Sequence, residues 1–126
     1  MSNDNTVFAI EDLRLELDLN DADDAENYEK AFKRMTEAHK ELVEQSSELS
    51  TADKIRSACR IYRELIDNIF GEGTSAKITS MQKNNARKHE EVVEALVEFV
   101  NVQAASNNAR RNEFMAKYRP SGRRNV

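Results

Sequence analysis

Residues 51–73 read TADKIRSACRIYRELIDNIFGEG, and this stretch decides the fold. Ile55, Cys59, Tyr62, Ile66 and Ile69 follow one another at steps of four, three, four and three. That spacing lines one face of an α-helix, and Ala58, Leu65 and Phe70 widen the stripe. Arg56, Arg60, Arg63 and Glu64 occupy the other face. Ser50 before the run, with Asp53 three residues on, resembles a capping box. Gly71 stands where a helix C-cap needs a residue with positive φ. The reading is a helix over residues 52–70, followed by a tight turn, with Ile66 at the centre of its buried face.

Upstream, the steps of three and four recur at Tyr28, Ala31, Phe32, Met35, Ala38, His39, Leu42 and Val43, which predicts a helix over residues 22–47. Asn20 and Asp21 precede it, and their side chains suit the free N–H groups of a helix start. Before them, LRLELDL (13–19) alternates leucine with charge, which places four leucines on one face of a strand. Val7, Phe8, Ala9 and Ile10 form a second short apolar run, and Glu11-Asp12 between them makes a hairpin over about residues 7–19. A lone hairpin is marginal in water, so it must pack on helices or pair with another chain.

Downstream, a short helix over residues 76–83 has Ile78 and Met81 to bury. A long helix over 86–118 follows, with Val92, Val93, Leu96, Val97, Phe99, Val100 and Ala104 as its apolar side. Pro120 ends it, and residues 120–126 read as a disordered basic tail. The expectation is therefore a mainly α, single helical domain over residues 1–119, of three to four helices with a short N-terminal β-hairpin.

Composition narrows the function. The 126 residues are 33% charged and 39% hydrophobic, with no long apolar run for a membrane span and a polar, acidic start that does not read as a secretory signal. One cysteine excludes an internal disulfide framework and a cysteine-based zinc site. His39 and His89 sit in no metal-ligand spacing, and the acidic stretch 18–29 lacks the glycine and the offsets of a calcium loop. Gly71-Glu72-Gly73 lacks the lysine and hydroxyl residue of a phosphate loop. No catalytic residue, cofactor or metal is expected, and the chain reads as a non-enzymatic binding protein.

The net charge of −4 divides into fourteen acidic against five basic residues in the first fifty, and nine against fourteen in the rest. The basic excess gathers at Arg110, Arg111, Lys117, Arg119, Arg123 and Arg124. Such a split suits a homo-oligomer or a charged partner that receives Arg110, Arg111, Arg123 and Arg124. Nucleic acid is disfavoured by the overall acidity and by the lack of a reading motif. Leu13, Leu15 and Leu17, with Val93, Leu96, Val97 and Val100, are the expected partner-binding surface, since anchors three and four apart fit a helix laid in a groove. The alternative, for the strand leucines and the four long-helix residues alike, is the chain's own core.

Several local sequences carry a family resemblance. These are DADDAENYEKA (21–31) after the alternating strand, IFGEGTS (69–75) closing the second helix, and the Lys117-Tyr118-Arg119-Pro120 and Arg123-Arg124 ending. In this order they resemble the tail assembly chaperones encoded among the tail genes of siphophages and prophages of Gram-positive bacteria. The resemblance implies a protein of the host bacterial cytoplasm that coats the tape-measure protein and keeps it soluble. It further implies that such a protein recruits tail-tube subunits and leaves the finished particle. A small nucleic-acid-binding regulator using the basic tail, or a structural adaptor kept in the virion, are the alternatives.

Overall fold

The computed structural model describes residues 4–118. A 3-10 turn (Asp4–Thr6) leads into β1 (Val7–Ile10) and β2 (Leu13–Glu16), which pair antiparallel with Ile10 opposite Leu13. Three helices follow: α1 (Ala22–Gln45), α2 (Thr51–Phe70) and α3 (Ala86–Lys117). The chain is mainly helical, with a two-stranded N-terminal hairpin, as its periodicity predicts. α1 packs along α2, α2 packs against α3, and the hairpin lies on α3.

The caps follow from the residue types. Asp21 accepts hydrogen bonds from the Asp23 and Asp24 N–H groups at the start of α1. Ser50 does the same for Asp53 N at the start of α2, and Asn85 for Lys88 N at the start of α3. Gly71 closes α2 with φ of 118°, a conformation that L side chains rarely adopt. Asn27 of α1 donates to the carbonyls of Asn68 and Ile69, two of the groups a helix C-terminus leaves open.

The core is where the stripes meet. Leu65, Ile66 and Ile69 of α2 face Val92, Leu96 and Val100 of α3, with Leu17 and Phe8 from the N-terminal segment and Ala31 from α1. Ile66 has no exposed surface. Phe8 stacks on Phe70 at 6.0 Å between ring centroids and meets Phe99 at 5.5 Å, so one β1 side chain joins both helices.

Three boundaries differ from expectation. The strand read over residues 13–19 pairs only to Glu16, because its partner turns into the 3-10 turn at Thr6. Leu17 N still donates to Thr6 O at 2.8 Å, and the leucine alternation holds, with Leu17 buried and Leu13, Leu15 and Leu19 half-buried against the core. The helix expected over 76–83 is instead two 3-10 turns, Ser75–Lys77 and Thr79–Met81. Ile78 between them is extended, which breaks an α-helical ladder, yet Ile78 and Met81 are both buried. α1 ends at Gln45, and residues 46–48 tighten into a 3-10 turn. The basic tail at 120–126, with Arg123 and Arg124, lies outside the described residues.

Candidate interaction surface

The residues expected to bind a partner separate into three groups. Leu96 and Val100 belong to the core, as does Leu17, so for these the alternative of a self-closing core is the one realised. Val93 and Val97 of α3, and Leu13 and Leu15 of β2, are half-buried, and Val93, Leu13 and Leu15 pack on the core cluster. Arg110 and Arg111 are exposed, and no acidic side chain among the described residues pairs with either.

An open apolar surface lies on the face of α3 next to the expected one. Between β1 and α3 runs a groove of about 330 Å³ whose walls are Phe8 and Ala9 on one side and Ala95, Phe99 and Val102 on the other. Ala95, Phe99 and Val102 are spaced four and three apart, so they form a continuous helical ridge. Val102 is 60% exposed, so this end of the ridge is open to a partner. Glu98 and Asn5 supply polar edges.

Two clasps fix this groove. Gln103 of α3 is buried, and its amide reaches across to the N-terminal segment. Its Nε2 donates to the carbonyls of Asn5 and Leu17, and its Oε1 accepts from Leu19 N. A buried amide with three partners satisfies groups that an apolar residue would leave bare. At the far end Glu11, at φ of 54° in the hairpin turn, accepts from Thr79 N at 2.6 Å, Ser80 N at 3.0 Å and Ser80 Oγ at 2.9 Å. Desolvation pushes the Glu11 pKa up, but these hydrogen bonds outweigh it and hold the carboxyl below the usual glutamate value. The hairpin, which forms one wall of the groove, is thus tied down at both ends.

His89 is buried on the α3 stripe. Its Nδ1 lies 2.8 Å from Asn85 O, and its Nε2 lies 3.0 Å from Arg63 Nη1. A carbonyl only accepts and a guanidinium only donates, so the partners place the proton on Nδ1 and leave the ring neutral. Burial lowers the His89 pKa; the Asn85 carbonyl opposes this, and the Arg63 charge adds to it. Arg63, expected on an outer face, is drawn inward by this contact and by Asn84. Cys59 is buried and free, and burial pushes its thiol pKa up, with Arg63 opposing and Glu90 adding. A thiol so held is a poor nucleophile. Among the described residues no group of three or more His, Cys, Asp or Glu side chains is placed to hold a metal ion, and no helix is long and apolar enough to cross a membrane.

Beyond Asn107, α3 leaves the body. Asn107 Oδ1 accepts from Asn20 at 3.1 Å, and residues 108–118 are exposed throughout. Its ten helical residues, 108–117, project about 15 Å. This arm carries Arg110, Arg111 and Lys117, and it exposes Phe114, Met115 and Tyr118.

A model of the DUF6673 family, a family of unknown function, matches residues 11–125, nearly the whole length, and the chain belongs to that family. No curated protein and no solved structure matches it.

Proposed function

We propose that this member of the DUF6673 family is a phage tail assembly chaperone. In this reading it works in the host bacterial cytoplasm, as a homo-oligomer, and binds without catalysing a reaction. It holds a helical segment of the tape-measure protein in the groove between β1 and α3 and helps recruit tail-tube subunits. The groove itself carries the proposal: an apolar ridge of Ala95, Phe99 and Val102 beside Phe8, held open by the Gln103 and Glu11 clasps. A tape-measure chain is a long helix with apolar stripes, and a ridge with helical spacing offers it anchors at matching intervals. The resemblance of residues 21–31 and 69–75 to tail assembly chaperones supports the choice of partner.

The test is Val102→Glu co-expressed with the tape-measure protein. Val102 is exposed, so the variant keeps its helical content by circular dichroism, while the tape-measure protein becomes insoluble. A folded variant that still keeps the tape measure soluble contradicts the proposal. The basic arm favours one second reading, a nucleic-acid-binding regulator, whose mark is DNA affinity that falls steeply with added salt.

A further inference from the structure

The apolar stripe of α3 does not stop where the body stops. Val100 and Gln103 are buried under the hairpin, and the same face continues through Asn107, Arg111, Phe114 and Tyr118. These last four are separated by four, three and four residues, the spacing of a seam between paired helices. Past Asn107 the seam residues are exposed, and Asn20 of the body borders Arg110, Arg111 and Phe114 in one shallow concavity. Phe114 and Tyr118 are 56% and 69% exposed, and their rings pack on each other, with centroids 4.7 Å apart.

The charges name the occupant. Arg110, Arg111 and Lys117 line the arm, and no acidic side chain among the described residues pairs with them. The complementary charge is in the same chain: residues 1–29 hold ten acidic side chains and a single basic one, Arg14. Asn20, in the middle of that acidic segment, contacts Asn107 at the root of the arm. The acidic surface therefore stands at the arm's base, while the cation Lys117 stands at its tip.

We propose that the arm of α3 is the pairing surface for a second copy of this chain, with the two arms antiparallel about a two-fold axis. This rests on the reading that the protein works as an oligomer, and it assigns the interface. With Tyr118 opposite Asn107 of the second copy, Phe114 falls opposite Arg111, where the ring face meets a guanidinium. Each Lys117 then reaches the acidic base of the other arm. A parallel pairing sets Arg110 and Arg111 against their own copies, which like-charge repulsion disfavours. A seam this short gives a weak, concentration-dependent dimer that added salt loosens.

Sedimentation equilibrium of the full chain, at rising protein concentration and at low and high salt, tests this. The expected result is a reversible dimer, weaker in high salt, whose dissociation constant rises about tenfold or more in Phe114→Glu/Tyr118→Glu. Phe114 and Tyr118 are both exposed, so the variant keeps the wild-type melt. If it does not, Phe114→Ala/Tyr118→Ala replaces it and is expected to weaken the dimer in the same direction. A wild-type chain that stays monomeric, or a folded variant that dimerises as tightly as wild type, overturns the proposal. Solubility of a co-expressed tape-measure protein is scored separately in the same variants. A monomeric variant that still protects it leaves the groove reading standing, and a dimeric chain that fails to protect it leaves this one standing.

Discussion

At the scale of single residues, the buried polar groups do more than their number suggests. Gln103 ties α3 to Asn5, Leu17 and Leu19 at once. Gln103→Ala takes the amide away from the buried Leu17 carbonyl, at about 1–3 kcal/mol. Chemical denaturation is expected to show a loss in that range, and a loss near zero means that water replaces the amide without cost. Ile66→Ala opens a cavity at the α2–α3 contact and is expected to cost about 2–5 kcal/mol. A change near zero in thermal melts contradicts the packing described. His89 gives a pH dependence whose sign is fixed. The folded ring is neutral with a lowered pKa, while the unfolded ring takes a proton below about pH 6.5. Its contribution is therefore complete above that pH and is lost as pH falls toward the folded value. Urea melts between about pH 7 and pH 5 are expected to lose stability, with a shallower slope in His89→Gln. Equal slopes refute a neutral, buried His89.

Elements were legible in the sequence to the extent that their stripes were apolar. The steps of three and four along α1, α2 and α3, the caps at Asp21 and Ser50, and Gly71 all follow from local chemistry, and each forms where expected. The helix expected at 76–83 was not legible as 3-10 turns. Ile78 is held extended by its place in the core, and the second turn is capped by Glu11, sixty-eight residues upstream of Thr79. No local pattern announces a contact of that range. His89 and Gln103 were partly legible, since both fall on the spacing of Val92, Leu96 and Val100, and a polar residue on an apolar stripe signals a buried hydrogen-bonded group. The sequence placed partner binding at Leu96 and Val100 because periodicity finds a stripe without saying which side of it the hairpin covers. The arm is an element-scale prediction in its own right. A chain ending at Asn107 is expected to unfold within about 0.5 kcal/mol of the full-length monomer, because residues 108–118 are exposed. A substantially lower melting temperature means that the arm packs on its own body.

At the scale of the whole molecule, the chain is a helical body, and two of its uncovered apolar features carry the functional reading. The groove beside β1 is walled by residues fixed at both ends of the hairpin, and the arm carries a seam out of the body. In the proposed reading the arm joins two copies and the groove takes the helical client, so a dimer presents two grooves. The central claim is the groove's occupancy, and isothermal titration of the full chain with a soluble helical segment of the tape-measure protein, at several temperatures, tests it most directly. The account predicts binding with a negative heat-capacity change, the mark of apolar burial, that is lost in Val102→Glu. Absence of binding, or equal binding by that variant, contradicts it.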